Sequence, residues 1–265
     1  MPRQKELHFF DQDAADKRGL QDYRTRFRGW KGERLVGEAT PRYFMHGMGL
    51  DVERRYRFCP KHSASSRIAE NLPEVKTILS LRDPVTRAYS QFCRNRQRGR
   101  EKEPCFRTAI QAELDGKRRP ETDPCCWIYL NRYGLHLHQW LACQRRDHVK
   151  IVIFDEWIQS PRQTLNEICE FLNIPKEGLS DTWERHNSGW EPRSKIIQNL
   201  TPSWLHKVPG IRRLSQFNRR PGYAPLDEET AIWLRSIFSE EVKTLESQLG
   251  RNIECWHVSK RRCAA

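Results

Sequence analysis

The chain has 265 residues, enough for one large domain with a sizeable buried core. Only 37% of the residues are hydrophobic, but Phe, Trp and Tyr together contribute 10%, which excludes the aromatic-poor composition of a disordered protein. Lys and Arg outnumber Asp and Glu by 47 to 34, and the net charge of +13 indicates an anionic partner: a nucleic acid, a polyanionic glycan, an acidic membrane or a phosphorylated small molecule.

Nine cysteines are scattered along the chain, and no CxxC pair occurs. Cys59 and His62 have the spacing of two metal ligands, but no second pair follows, so we expect no metal site. The cysteine pattern is typical of reduced, mostly structural thiols, and oxidation in a secretory compartment stays open. No apolar run reaches the length of a membrane span, and residues 1–20 are too charged for a signal peptide. As written, the sequence predicts a cytoplasmic chain.

Apolar runs predict the strands, in chain order. Residues 34–38 are a weak candidate, whereas 76–81 and 149–154 are continuous apolar runs, as expected for parallel strands covered on both faces. Apolar residues at helical spacing predict four helices: one from Pro84 onward, and others over about 128–143, 161–172 and 227–249. This alternation predicts a three-layer α/β fold with a central parallel sheet. Residues 45–66 and 202–224 are expected to be irregular, basic excursions.

The segment Leu79–Ser90 joins a strand to a helix. Arg82 lies at the carboxyl end of the strand, where open α/β sheets bind their ligands, and Asp83 with Pro84 can begin the helix. Ser90 follows Asp83 by seven residues, so both lie on one helix face. Two interpretations follow from these residues: Arg82 and Ser90 form an anion clamp, or Arg82 only pairs with Asp83 in an ordinary strand–turn–helix.

The pattern Arg-Asp-Pro-x-x-Arg-x-x-Ser after an apolar strand resembles the 3′-phosphate-binding motif of the sulfotransferase superfamily. This resemblance implies a P-loop-NTPase-like α/β fold, and 3′-phosphoadenosine 5′-phosphosulfate as the co-substrate. It also implies that Arg82 and Ser90 hold the 3′-phosphate of that nucleotide. No metal is required by such an enzyme.

Two N-terminal segments add to the resemblance: Lys5-Glu-Leu-His-Phe-Phe-Asp11 and Gly37-Glu-Ala-Thr-Pro-Arg-Tyr-Phe44. They are similar to the heparan sulfate 3-O-sulfotransferases, to the sulfotransferase domain of the N-deacetylase/N-sulfotransferases and to bacterial relatives. The resemblance implies that Glu6 is the base, with His8 and Asp11 in support. In an extended segment Glu6 and His8 share one face. The residues alone also allow a plain surface strand whose Phe9 and Phe10 pack inward.

The remaining similarity covers the back half of the chain, from Tyr133-Gly-Leu through the strand at 149–154 to Pro175. Its role in the family is mainly structural. His136 and His138 are two residues apart and cannot share a helix face, so we do not interpret them as ligands. In the segment 187–194, Arg193 and Ser194 match the position of a loop that closes over the nucleotide in family members.

The chain departs from the family in two places. Ala39 stands where the 3-O enzymes have a Lys at the reaction centre, so the position sulfated is not assigned. Members also begin with a strand and a Gly/Lys/Thr-rich loop that holds the 5′-phosphosulfate, and this sequence has only Met1 to Lys5 before its first matching segment. Either the sequence is incomplete at its N-terminus or the protein has lost donor binding. The retained Glu6, His8, Arg82 and Ser90 favour the first.

The sequence therefore predicts a single, N-terminally incomplete sulfotransferase domain over residues 1–258 and a basic tail at 259–265. We expect transfer of a sulfuryl group to a hydroxyl or amine of a carbohydrate, and an anionic glycan as the partner. Basic runs at 94–102 and 54–57 are candidates for the acceptor groove, with a plain solvated surface as the alternative. Neither run has the interleaved aromatic residues of a nucleic-acid site. The rival function is a non-catalytic basic protein that binds a polyanion. A location in the Golgi lumen stays open if an anchor precedes the sequence.

Overall fold

The computed structural model describes residues 2, 4–12, 14–50, 56–59, 63–179, 190–194, 197 and 209–257. The helices are α1 (Ala14–Thr25, interrupted at Gly19), α2 (Ala64–Asn71), α3 (Pro84–Gln97), α4 (Phe106–Leu114), α5 (Tyr133–Leu141), α6 (Phe154–Trp157), α7 (Pro161–Leu172), α8 (Pro209–Phe217), α9 (Glu228–Leu249) and α10 (Glu254–His257). The strands are β1 (Met48–Leu50), β2 (Tyr56–Phe58), β3 (Thr77–Leu81), β4 (Val149–Ile153), β5 (Trp190–Pro192) and β6 (Arg219–Pro221).

The two strongest apolar runs form the predicted parallel pair. β3 and β4 run in the same direction, with Leu81 opposite Ile153 at their carboxyl ends. Helices follow both strands, so the α/β class is confirmed. The expected burial of both strand faces is not seen in β3, where Leu79 and Leu81 are buried but Ile78 and Ser80 are exposed. The described residues cover only one face of this strand.

The helix boundaries follow the capping signals in the sequence. Asp83 is the N-cap of α3, and its side chain accepts a hydrogen bond from the backbone N–H of Thr86 at 2.8 Å. Asp227 does the same for Thr230 at the start of α9, also at 2.8 Å. The helices predicted from Pro84, over 161–172 and over 227–249 are therefore confirmed.

Four local predictions are wrong. Residues 34–38 form no strand, because Leu35 and Val36 are exposed and the described residues offer them no partner strand. The helix expected over 128–143 begins only at Tyr133, after a separate 3₁₀ turn, because the backbone N–H groups of residues 128 and 129 donate to the carboxylate of Glu113. Within 45–66, the described residues include the antiparallel β1–β2 pair and the start of α2, where an irregular excursion was expected. In 202–224, α8 and β6 are regular.

The core includes residues of the β3–β4 pair and of the long helix α9, which packs against α3 and α5. Close approach of α5 and α9 depends on Gly134, since a Cβ there would lie 2.8 Å from the Thr244 methyl group. Aromatic rings fill the N-terminal side of the core: Phe9 and Phe10 are in contact with each other and with Tyr23. The inward packing of Phe9 and Phe10 anchors the segment that includes Glu6 and His8.

His136 is a satisfied core residue. Its Nε2–H donates to the carbonyl of Tyr129 at 2.9 Å, and its Nδ1 accepts the backbone N–H of His46 at 3.2 Å. Burial lowers the pKa of His136 to about 3, so the ring is neutral at physiological pH. These bonds join the loop around His46 to α5 and leave no ring nitrogen for another ligand.

Several predicted features lie outside the described residues: the basic tail at 259–265, His62 of the weighed metal pair, and Arg54 and Arg55 of the second basic run. Six of the cysteines that the structure describes are free thiols: Cys59, Cys105, Cys125, Cys126, Cys143 and Cys169.

Candidate active site

Glu6, His8 and Asp11 form a continuous chain of polar contacts. The Nδ1 of His8 lies 2.8 Å from the Oδ2 of Asp11, and its Nε2 lies 3.2 Å from the Oε2 of Glu6. The exposed fraction of the side chain decreases along this series of contacts, from 45% for Glu6 through 24% for His8 to 0% for Asp11. One carboxylate is thus open to solvent, and the imidazole behind it is fixed by a second, buried carboxylate. We call residues 6–11 the base segment.

The environment of His8 favours its charged form. The hydrogen bond with Asp11 raises the pKa of His8 most strongly, and the charges of Asp11 and Glu6 raise it as well. Burial and the guanidinium of Arg42 lower the pKa, but the net direction is upward from the ordinary value. A protonated ring donates from both nitrogens, so His8 can hold both carboxylates at once.

The segment is not extended at His8, and this part of the sequence interpretation is wrong. The φ angle of His8 is +50°, in the left-handed region that non-glycine residues seldom occupy. Such a conformation costs on the order of 1–3 kcal/mol and persists only where the surroundings impose it. The contact between Glu6 and His8 therefore depends on the left-handed conformation of His8, and strand alternation does not explain it.

Side chains from the segment 38–43 fix this conformation. Glu38 accepts the backbone N–H of Leu7 at 3.3 Å, and Thr40 accepts that of His8 at 3.4 Å. The hydroxyl of Tyr43 accepts the N–H groups of residues 9 and 10 at 2.8 and 3.3 Å. The three residues belong to the segment that supported the family resemblance, but sequence reasoning gave them no role. We call Glu38, Thr40 and Tyr43 the Glu38 cluster.

Asp11 is enclosed from the other side. The Nε of Arg42 lies 3.6 Å from the Oδ2 of Asp11, and Arg67 donates to the carbonyl of Phe10 at 3.1 Å. Gly49 of β1 approaches so closely that a Cβ would lie 2.7 Å from the backbone oxygen of Asp11. The strand β1, which the sequence did not predict, therefore packs against the base segment at Asp11.

The second candidate region is the turn from β3 into α3, residues 81–90, which we call the phosphate corner. Arg82 directly follows the last residue of β3, and its guanidinium lies 5.8 Å from the ring centroid of Phe154. The Nε of Arg82 is buried without a hydrogen-bond partner among the described residues. A buried donor without a partner is costly, so this atom is suited to an anionic ligand. Ser90 lies two turns into α3 and is half-buried.

Three residues from other elements hold the phosphate corner in place. Tyr133 of α5 donates its hydroxyl hydrogen to the carbonyl of Arg82 at 2.9 Å. The buried carboxylate of Asp155 accepts the backbone N–H of Asp83 and the indole N–H of Trp256, both at 2.9 Å. Sequence reasoning missed these roles. The position of Asp155, two residues after the end of β4, was the available signal, because polar residues after parallel strands meet at one sheet edge.

Arg193 and Ser194 lie on a third segment, which is tied to Asn218. The side-chain amide of Asn218 accepts the N–H of Ser194 at 2.8 Å and donates to its carbonyl at 2.9 Å. The backbone carbonyl of Asn218 accepts the N–H of Arg193 at 2.7 Å, next to the pairing of β5 with β6. The structure thus brings Glu6, His8 and Asp11 into contact and places Arg82 and Ser90 on one strand–helix unit. It gives Arg193 and Ser194 a separate anchor.

The basic run at 94–102, which begins in the last turn of α3, lies close to the base segment. Partial desolvation and the neighbouring charges of Arg94 and Arg100 lower the pKa of Arg98, and the carboxylate of Glu6 acts in the opposite direction. Glu6 therefore faces a region of positive potential. Within the described residues, no group of three or more His, Cys, Asp or Glu side chains has a geometry that could hold a metal ion. No helix in the same residues is long and apolar enough to cross a bilayer.

Open α/β sheets bind their ligands at the carboxyl ends of parallel strands, and at this position Arg82 has a buried donor with no partner among the described residues. The family model of the sulfotransferase domain matches residues 53–244, and the chain belongs to this family. In fold, the chain is similar to a sulfotransferase from Alicyclobacillus acidocaldarius, with a TM-score of 0.63 and 21% identity, over 97% of this chain and 87% of the other. The P-loop-like α/β fold is thereby confirmed.

The chain is also similar to heparan sulfate sulfotransferases of two kinds. The chain is 23% identical to mouse heparan sulfate glucosamine 3-O-sulfotransferase 5 over 64% of its length and 45% of the relative. It is 26% identical to the human 3-O-sulfotransferase 3B1 over 81% of its length and 53% of the relative. It is 23% identical to the mouse bifunctional heparan sulfate N-deacetylase/N-sulfotransferase 4, over 77% of the chain and 23% of that protein. The chain thus spans about half the length of the 3-O-sulfotransferases that it matches.

Proposed function

We propose that this sulfotransferase moves a sulfuryl group from 3′-phosphoadenosine 5′-phosphosulfate to a hydroxyl or amine of a carbohydrate. The main support is the chain of contacts from Glu6 through His8 to Asp11, which presents one exposed carboxylate on a rigid, buried support. The relatives named above are heparan sulfate sulfotransferases, and they suggest the carbohydrate acceptor.

On the acceptor side, Glu6 acts as the general base. A sugar hydroxyl is a poor nucleophile, so a carboxylate within hydrogen-bond reach takes its proton as the oxygen–sulfur bond forms. His8 donates to Glu6 and fixes the direction of its lone pairs, and Asp11 fixes His8. The proton moves to Glu6 while the sulfuryl group leaves the donor phosphate, so atoms and charges balance across the transfer.

On the donor side, Arg82 and Ser90 would hold the 3′-phosphate. The unpartnered Nε of Arg82 fits this role, because a phosphate oxygen would satisfy a buried donor that has no partner among the described residues. Arg193 and Ser194, anchored by Asn218, would close over the nucleotide. The bound nucleotide supplies the activated sulfuryl group, and the protein supplies position and charge.

The acceptor class follows from the charge distribution. The net charge of +13, and the position of Arg98 near Glu6 with Arg94 and Arg100 beside it, favour an anionic glycan over a neutral one. The base at Glu6 and the arginines would then act together, the arginines by binding sulfate or carboxylate groups of the polymer.

The test is a sulfuryl-transfer assay on sulfated and unsulfated glycans, with nucleotide affinity measured in parallel. We expect transfer by the wild-type protein, and a loss of about 10²–10⁴ in Glu6→Gln, which retains shape and hydrogen bonding but is not basic. Affinity for 3′,5′-adenosine bisphosphate should stay unchanged. Glu70→Gln, an exposed carboxylate at the end of α2, is the matched control and should retain activity. Glycan binding without any transfer by the wild-type protein would instead support the non-catalytic polyanion-binding function.

A further inference from the structure

Four consecutive backbone N–H groups of the base segment donate to side chains of a segment about thirty residues away in sequence. Those of residues 7 and 8 donate to Glu38 and Thr40, and those of residues 9 and 10 share the hydroxyl of Tyr43. Backbone N–H groups in a folded protein normally bond to other backbone groups. In this segment the Glu38 cluster takes the place of a neighbouring strand.

The hydrogen bonds within the Glu38 cluster have a fixed direction. The Thr40 hydroxyl donates to the Oε2 of Glu38 at 2.7 Å, and the Tyr43 hydroxyl donates to the Oε1 at 3.0 Å. Burial and the charge of Glu38 raise the pKa of Tyr43, so its phenol remains protonated. A hydroxyl has one hydrogen, and both hydrogens are used on Glu38, so only lone pairs remain toward the backbone. The carboxylate thereby makes both hydroxyls acceptors for the N–H groups of the base segment.

We propose that Glu38 is a positioning residue for the transfer reaction: through Thr40 and Tyr43 it holds His8 in its left-handed conformation, with the ring between Glu6 and Asp11. This inference deepens the proposed function and rests on it. His8 would relax toward an ordinary φ if its N–H and that of Phe9 lost their acceptors. Relaxation would move the imidazole away from Asp11 and leave Glu6 without its orienting donor.

The experiment compares Tyr43→Phe with Tyr129→Phe. Both changes remove a hydroxyl from a buried tyrosine, and the Tyr129 hydroxyl bonds to the carbonyl of His46 at 2.7 Å, outside the base segment. In Tyr43→Phe we expect transfer to fall about 10- to 100-fold, the scale of a small misplacement of a reacting group. Nucleotide affinity should not change. Tyr129→Phe should retain both properties.

The pKa of His8, measured by NMR titration of its ring, is a readout that does not need activity. Asp11, Glu6 and Arg42 are the charged groups that act on this ring. In Tyr43→Phe the pKa should move down toward the ordinary histidine value as the contact with Asp11 is lost. If Tyr43→Phe does not fold, the same measurements are made on Thr40→Val and Thr40→Ser. Val removes the acceptor for the His8 N–H, whereas Ser retains it.

A folded Tyr43→Phe or Thr40→Val with the wild-type His8 titration and turnover would overturn the proposal. The same would follow if Thr40→Ser were as impaired as Thr40→Val. A wild-type protein without transfer activity would overturn the proposed function but not this positioning role, since the His8 titration would still respond to the variants. In a Glu6→Gln background the effect of Tyr43→Phe on residual transfer should vanish, because both changes act on the same base.

Discussion

In the phosphate corner, regular secondary structure places the side chains: β3 ends at Leu81, Asp83 caps α3, and Ser90 follows two turns later. In the base segment, side chains place the backbone: the Glu38 cluster accepts four N–H groups and holds His8 at a positive φ. A site like the phosphate corner tolerates substitutions in the residues around it, since backbone hydrogen bonds set its shape. The base segment depends on a few hydroxyl and carboxylate groups, so single substitutions can alter its geometry.

Removal of Arg82 tests the phosphate corner most strongly. We expect Arg82→Ala to lower the affinity for 3′,5′-adenosine bisphosphate by about 1.5–3 kcal/mol, the contribution of a hydrogen bond to a charged group. Calorimetry measures this loss. Arg145→Ala, which removes an exposed arginine paired with Asp147, is the control and should bind normally. Equal losses in both variants would mean that only overall charge matters.

An added methyl group at Gly49 tests the base segment alone. Because a Cβ would lie 2.7 Å from the backbone oxygen of Asp11, Gly49→Ala should destabilise the protein by about 1–3 kcal/mol and reduce transfer. Nucleotide affinity should be retained, because the phosphate corner does not contact Gly49. Denaturant unfolding, transfer and calorimetry together measure this separation. Gly29→Ala, with nothing within 4 Å of its Cβ, is the control. A parallel loss of nucleotide binding in Gly49→Ala would show that the two regions are coupled.

Loss of the N-cap of α3, in the phosphate corner, should have a smaller effect on the free energy of unfolding. Asp83→Ala loses the bond to the Thr86 N–H and the ion pair with Arg235, and should cost about 0.5–2 kcal/mol of unfolding free energy. Asp83→Asn retains the capping oxygen and loses only charge, so it should be less destabilised. Denaturant unfolding measures both. If Asn were as harmful as Ala, the ion pair and not the cap would dominate.

The titration of His8 tests the smallest of these expected effects. The pKa of folded His8 is raised, so its contribution to stability is complete below the ordinary value of about 6.5 and is lost as pH rises through the raised pKa. Asp11→Asn should lower the His8 pKa and flatten the stability profile in that window. Arg42→Gln should raise the pKa further, since the Arg42 charge lowers it. NMR titration measures both, and shifts in one direction for both variants would contradict the assigned causes.

The sequence predicted those parts of the fold whose signals are local. Asp83 and Pro84 begin α3, Asp227 begins α9, and the apolar runs at 76–81 and 149–154 become a parallel pair. It did not predict the β1–β2 pair, because these strands have three residues each and show no periodic pattern. It also predicted a strand at 34–38, where Glu38 uses its side chain to bind the base segment instead.

For the candidate site, the residue types were available from the sequence but their geometry was not. Glu6, His8 and Asp11 were selected through a resemblance, and their contacts depend on a positive φ at His8 that no spacing rule indicates. The supports of both regions come from distant positions, such as Tyr133 for Arg82 and Tyr43 for Phe9. Such pairings arise only when the chain is folded, so periodicity within a short window does not detect them.

The parallel pairing of β3 with β4 has a kinetic consequence. The strands are joined by a long crossover, residues 82–148, which includes α3, α4 and α5. The entropic cost of closing such a loop rises slowly with its length, by about 0.6 kcal/mol per doubling, but it is incurred before the strand contacts form. We therefore expect the three helices to gain structure early and shorten the effective loop, and the sheet edge beside Arg82 to assemble late in folding.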